Sequence, residues 1–183
     1  MLRKMKENEF KAVYEILDKS FDHNEIRSAE GQKRLFKDSA YSVLVNDDIT
    51  AVLGVWDFGD IRFVEHLATD ERVRNNGLGG RALDEYVKSG KTAVILEVEL
   101  PGDEITDRRI AFYKRHGFKF KSFNYIQPPM EEGKSPVPLK IMSYPESITE
   151  EQFNDYRKLL YTRVYGCDIK DLGGSAPNTP ASL

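Results

Sequence analysis

The sequence predicts an α/β layer fold, a mixed sheet flanked by helices, on three observations. Tyr41 to Val45, Ile49 to Asp57 and Ile61 to Ala68 are alternating runs rich in β-branched residues with short turns between them, the pattern of a three-strand meander. A glycine-rich stretch, Asp70 to Gly80, joins the last of these to a helix-like run, Arg81 to Lys88. Beyond it, apolar strand-like segments and helical segments alternate along one continuous domain.

The elements follow in order. Leu2 to Met5 is a short first strand. Asn8 caps a helix to about Lys19, with Phe10, Val13, Tyr14 and Leu17 at helical spacing. A polar loop, Ser20 to Arg27, carries one aromatic, Phe21, and a second helix covers Ala29 to Phe36. The hairpin turn is Asn46-Asp47-Asp48. Thr92 to Leu100 is an apolar strand, Pro101 to Thr106 a loop, and Asp107 to His116 a helix ended by Gly117. Phe118 to Ile126 and Val137 to Ser143 are strands joined by the segment Gln127 to Pro136. Thr149-x-x-Gln152 is a capping box opening a last helix to about Tyr165.

The bulk properties exclude several classes. A chain of 183 residues with 40% apolar content is the size of one domain with a real core. The net charge of −3 offers no basic face for nucleic acid and slightly favours a cationic acceptor. One cysteine, Cys167, permits no disulfide within the chain, so the fold does not depend on an oxidising compartment. No apolar run reaches membrane-span length, and Met-Leu-Arg-Lys-Met-Lys leads into polar residues, so a cytoplasmic protein without membrane contact is expected.

A glycine-rich turn between strand and helix is a place to bind phosphate. Glycines let an anion approach the main chain, and the first helical turn presents unpaired N–H groups and the positive end of the helix dipole. Neither a P-loop Lys-Ser/Thr pair nor a Gly-x-Gly-x-x-Gly in the first βα unit is present. Arg74-x-x-Gly77-x-Gly79, supported by Ile95-Leu-Glu-Val98 and Ile110-Ala-Phe-Tyr-Lys-Arg-His-Gly-Phe118, resembles the acetyl-CoA signature of the GNAT (Gcn5-related N-acetyltransferase) superfamily. The resemblance implies a mixed, mostly antiparallel sheet with a central splay. It implies an acetyltransferase domain over 1–145, leaving 146–166 as a C-terminal helical extension and 167–183 as a tail that composition marks as disordered.

What the resemblance implies for the site is specific. Main-chain N–H groups of Arg74, Asn75, Asn76, Gly77, Leu78 and Gly79 hold the pyrophosphate of acetyl-CoA, the co-substrate, and Gly80 also binds the cofactor. The strand edge at Leu67, Ala68 and Thr69 takes the pantetheine amides by strand addition. Tyr113 is the general acid for the departing thiolate, and the alternative is a tyrosine that is only core. Thr106 stands where relatives commonly have Asn, so its pantetheine contact is in doubt. Arg109 replaces a common Ala, and Arg108 and Arg109 could reach a CoA phosphate.

The base is read from position. Glu65 alternates with Phe63 and Leu67 on an otherwise apolar strand face, where a raised pKa suits proton abstraction from the amine. His66 is expected on the opposite face, as structural. Glu97 and Glu99 share one face of the neighbouring strand, and Glu97 or a water is the alternative base to Glu65. Phe21, Glu25, Glu97 and Tyr125 are placed around the acceptor, with Met130 nearby. The expected activity is acetyl transfer to a primary amine of a small molecule or peptide. Transfer of another acyl group, or a non-catalytic acyl-CoA-binding module, are the alternatives. A homodimer is possible through the last helix and the aromatic strand Phe118–Tyr125, and no metal is expected.

Overall fold

A computed structural model describes residues 1–167. The tail expected over 167–183 therefore lies outside the described residues, apart from Cys167. The elements are β1 (Arg3–Lys4), α1 (Phe10–Asp18), α2 (Ala29–Arg34), β2 (Tyr41–Val45), β3 (Ala51–Asp57), β4 (Ile61–Thr69), α3 (Leu78–Lys88), β5 (Ala93–Glu99), α4 (Glu104–Arg115), β6 (Lys119–Gln127), β7 (Val137–Tyr144) and α5 (Glu150–Leu159). The seven strands form one sheet in the order β1-β2-β3-β4-β5-β7-β6. Only β4 and β5 run parallel, so the sheet is mixed and mostly antiparallel as expected.

Each face of the sheet is covered by its own helices. Val13, Ile16 and Leu17 of α1 and Phe153 of α5 pack against Val43, Val52, Phe63 and Ile95. Ala82, Leu83, Tyr86 and Val87 of α3 and Ile110 and Tyr113 of α4 pack against Leu53, Val64, Leu96 and Met142 on the other. In both sets the helical residues recur at three- and four-residue spacing and the strand residues at two.

The feature that positions the site is the β4–β5 junction. Parallel pairing runs from Ile61 opposite Ala93 to Val64 opposite Leu96, and stops. Beyond that point β4 stays paired to β3 as far as Thr69, while β5 stays paired to β7 as far as Glu99. The two strands therefore diverge, leaving the β4 edge from Glu65 to Thr69 open. A bulge coincides with the divergence: Val55 faces Val64 and Gly54 faces His66, so Glu65 is an extra residue without a partner on β3. A bulge bends a strand and steepens its twist, which carries β4 away from β5.

Several boundaries differ from the sequence reading. Helix α3 begins at Leu78, so Gly79 and Gly80 lie in its first turn. Helix α4 begins at Glu104 because Asp103 caps it, accepting from the N–H groups of Ile105 at 2.8 Å and Thr106 at 2.9 Å. Strand β3 begins at Ala51; Ile49 has φ 52° in the hairpin turn, where the Asn46 side chain accepts from the N–H groups of Thr50 and Ala51. The last helix ends in a wide π turn, Leu160–Val164.

Candidate active site

A cavity of about 430 Å³ passes through the splay. It joins the N-terminus of α3 on one face to Glu65 of β4 and Glu97 of β5 on the other. Leu67, Ala68 and Thr69 line it along the open strand edge, with Arg74, Asn75, Gly77, Leu78, Gly79 and Gly80 at one end and Phe21, Glu25, Glu65 and Glu97 at the other. Tyr113 lines it from α4 together with Phe112 and Arg109.

The α3 end of the cavity rests on three glycines with three different jobs. Gly77 is the N-cap of α3 with φ 70°, and Asn75 before it has φ 66°, so the chain turns into the helix through the left-handed region. Gly79 has room for a Cβ, whose nearest neighbour would be Thr69 Cγ2 at 3.4 Å; a side chain there would occupy the cavity without clashing with the protein. At Gly80 a Cβ would stand 2.7 Å from the His116 ring, so this glycine lets α3 pack closely on α4. Unlike α2, α4 and α5, which Ser28, Asp103 and Thr149 cap, α3 has no side-chain cap and no acidic residue in its first turn. Its free N–H groups lie at the cavity with Arg74 beside them, an arrangement suited to an anion. An adjoining cleft that shares Leu67, Ala68, Thr69 and Arg74 is lined by Lys19, Arg108 and Arg115.

Four expected residues lie elsewhere. Thr106 is not at the cavity; its hydroxyl donates to the Asp103 carbonyl at 3.2 Å and belongs to the α4 cap. Asn76 is also outside the lining, and its carbonyl accepts from Arg81 at 3.0 Å. Tyr125 does not line the cavity either, but donates a hydrogen bond to Glu97 from behind. Met130 is buried in the core that α1 and α5 share with the sheet. Arg109 pairs with Glu99 across the mouth of the splay.

Tyr113 is buried, and among the described residues its hydroxyl has no hydrogen-bond partner. Burial raises its pKa to about 12, so the phenol is protonated at neutral pH.

The carboxylates differ from expectation. The bulge at Glu65 breaks the alternation, so Phe63 and Leu67 belong to opposite faces. Glu65 and His66 both turn toward α1 and α2: Glu65 meets Arg27 and Trp56, and the His66 ring donates from Nε2 to the Glu25 carbonyl at 3.0 Å and packs edge-on to Phe21. The Glu65 side chain is wholly buried while the residue as a whole is partly accessible, which leaves its main chain as the part open to the cleft. Arg27 donates to Glu65 Oε1 at 2.5 Å, and the Trp56 indole donates to Oε2 at 3.1 Å. Burial alone would raise the Glu65 pKa; the charges of Arg27 and His66 and the donated hydrogen bonds outweigh it, and the net shift is downward. Glu65 is therefore an ionised, fully engaged group, not the lone carboxylate on an apolar face that alternation suggests.

Glu97 has the opposite environment. Burial raises its pKa to about 7, opposed by hydrogen bonds from Tyr125 and Tyr165, with the Glu65 charge adding to the rise. Tyr165 donates to Glu97 Oε2 at 2.6 Å. Glu25 at the same end is also raised, mainly by burial and then by the Glu99 charge. Sequence reasoning missed Arg27, Trp56 and Tyr165. Only Tyr165 left a local signal, its four-residue spacing from Tyr161 on the last helix.

Comparison with known proteins is consistent across sequence and structure. The profile described as "Acetyltransferase (GNAT) family" matches residues 10–118. A solved structure described as "Putative acetyltransferase from GNAT family from Bacteroides thetaiotaomicron" is 32% identical, with a TM-score of 0.83, and the match covers 92% of this chain and 99% of that one. "Putative acetyltransferase YjbC" of Bacillus subtilis (strain 168) is 25% identical over 155 residues, 83% of this chain and 80% of the relative. The ribosomal-protein-S18-alanine N-acetyltransferase of Escherichia coli shares the fold at 21% identity, with a TM-score of 0.57 over 82% of this chain and 96% of that one. Among the described residues no helix is long and apolar enough to cross a membrane, and no cluster of three or more His, Cys, Asp or Glu could hold a metal ion.

Proposed function

The chain belongs to the acetyltransferase (GNAT) family, and within it we propose that this protein moves the acetyl group of acetyl-CoA onto a primary amine of a small molecule or peptide. The observation that carries the reading is the cleft through the splay. It connects an uncapped helix N-terminus on the α3–α4 face with a half-buried carboxylate of near-neutral pKa on the α1–α5 face.

The residues present fit acetyl-CoA. The first turn of α3, with Arg74, takes the pyrophosphate, and Lys19, Arg108 and Arg115 surround the adjoining cleft with positive charge. The open edge of β4 at Leu67, Ala68 and Thr69 pairs with the pantetheine amides. Bound there, the thioester supplies an electrophilic carbonyl beside the exposed main chain of the bulge.

On the other face the carboxylates Glu25, Glu65, Glu97 and Glu99 outnumber Arg27 and Arg109, which suits an acceptor arriving as a cation. Glu97, not Glu65, is then the group that takes a proton from the amine, directly or through one water. A base with pKa near the working pH is effective, and Arg27 already occupies Glu65. As the amine nitrogen bonds to the acetyl carbon and the carbon–sulfur bond breaks, Tyr113 donates its phenolic proton to the leaving thiolate.

A CoA-release screen with purified protein, acetyl-CoA and a panel of simple amines, polyamines, aminoglycosides and peptide N-termini tests this. Stimulated release with one class supports the reading. Tight acetyl-CoA binding with no release for any class would instead assign the chain as an acyl-CoA-binding module.

A further inference from the structure

The family profile ends at residue 118, yet the carboxylate assigned as base takes one of its two hydrogen bonds from residue 165. The segment after α5 is tied into the site at several points. Leu160, Tyr161, Val164 and Tyr165 are all buried. The Tyr161 hydroxyl donates to the Ile126 carbonyl at 2.5 Å, anchoring the segment on β6. The Val164 carbonyl, left without a helical partner at the C-terminal end, accepts from Arg27 Nη2 at 2.8 Å, while Nη1 of the same guanidinium holds Glu65. Tyr165 lies under that guanidinium, 6.0 Å from ring centroid to Cζ, and its hydroxyl reaches Glu97.

We propose that the C-terminal extension is a working part of the acceptor end of the cleft, in which Tyr165 is a positioning residue that holds the Glu97 carboxylate for proton transfer. The proposal rests on the acetyl-transfer reading for the step it serves. One helix end performs two tasks: its last carbonyl holds Arg27 on Glu65, and its tyrosine holds Glu97. The two neighbouring carboxylates are thereby given different roles, Glu65 kept charged and spent, Glu97 left to exchange a proton. The groups facing Glu97 are Tyr125 from β6, Tyr165 from the extension, Glu65 from β4 and Arg27 from the loop before α2. Tyr161 stands behind Tyr125, His66 lies 3.8 Å from Glu65 Oε2, and Glu99, paired with Arg109, follows on β5 opposite Glu25.

The Tyr165 bond stabilises the ionised form of Glu97, so removing it raises the Glu97 pKa from about 7 and starves the reaction of base at neutral pH. The test is Tyr165→Phe in the full chain, with Glu97 followed by carboxyl-carbon NMR titration and activity by kcat/KM for the acceptor against pH. We expect both the titration and the acid limb to move up by about one unit. Acceptor kcat/KM should fall roughly five-fold at pH 7 and approach wild type near pH 9, with the KM for acetyl-CoA unchanged. In the wild-type protein the Tyr165 ring carbon bearing the hydroxyl should shift in step with Glu97, a reading that needs no variant.

Tyr161→Phe, on the same segment but bonded to a backbone carbonyl, should leave the Glu97 titration in place. An unmoved Glu97 titration in Tyr165→Phe, an equal loss at pH 7 and pH 9, or an equal shift in Tyr161→Phe would each overturn the proposal. Because the NMR titration needs no turnover, failure to find an acceptor and failure of this inference are separate results.

Discussion

Replacing Arg27 by Met removes the charge that sets Glu65 apart from Glu97 while keeping much of the aliphatic stem. Arg27 is 4% exposed at the side chain and Glu65 is 0% exposed. The substitution leaves a buried carboxylate with only the Trp56 indole, and it orphans the Val164 carbonyl. Breaking a buried pair from one side costs about 3–5 kcal/mol, a large part of the about 5–15 kcal/mol that holds a domain together. For a chain of this size that is a drop in Tm of about 10 °C or more.

The sign of the pH dependence follows from the direction of the shift. With Arg27 present, the Glu65 pKa is below its unfolded value, so its stabilisation is present above the unfolded value and is lost as pH falls through the folded one. Without Arg27, burial dominates and the pKa moves above the unfolded value, so the penalty is full at neutral pH and shrinks as Glu65 takes up a proton. The deficit should therefore be largest at pH 7.5 and clearly smaller at pH 5. Urea denaturation at both pH values measures it, and Arg27→Met/Glu65→Gln should recover at least about 1 kcal/mol relative to the sum of the single changes. A deficit under about 1 kcal/mol that does not vary with pH would mean that Arg27 does not hold Glu65, and would return Glu65 as the candidate base.

Three further outcomes are expected. Gly77→Val forces a branched residue to φ 70°, with its Cβ 3.3 Å from Arg81 Nη1, and so shifts the turn that aims the first N–H groups of α3; acetyl-CoA affinity by calorimetry should weaken by about 1–3 kcal/mol in a folded protein, and unchanged affinity would refute the pyrophosphate assignment. Tyr113→Phe retains the ring and should lower kcat by about 10²-fold or more with acetyl-CoA affinity kept, whereas near-normal turnover would make Tyr113 a core residue only. Glu97→Gln should lower kcat/KM steeply at pH 7, remove the acid limb near that pH and recover partly at high pH, where the amine is already neutral; if Glu65→Gln gives that signature and Glu97→Gln does not, the base lies on β4.

The sequence by itself determined what is local. Two- and four-residue spacing of apolar side chains specified the strands, the helices and the mixed sheet, because burial of one face imposes those periods. The glycine turn was legible because only glycine tolerates the Gly77 backbone at little cost, and the common face of Glu97 and Glu99 followed from an uninterrupted strand. The same rule failed at Glu65, where one extra residue on β4 reverses every side chain after it; nothing in the local pattern marks a bulge whose partner is Gly54. Asp103 was missed as a cap, and with it the reason Thr106 faces its own helix. The identity of the engaged and the available carboxylate was decided by contacts spanning 38 residues from Arg27 to Glu65, 68 from Glu97 to Tyr165 and 137 from Arg27 to Val164. Period and turn chemistry describe a residue's neighbours along the chain, whereas the charge state of a buried carboxylate depends on which cations and donors the fold brings beside it, and only the packed tertiary structure supplies those.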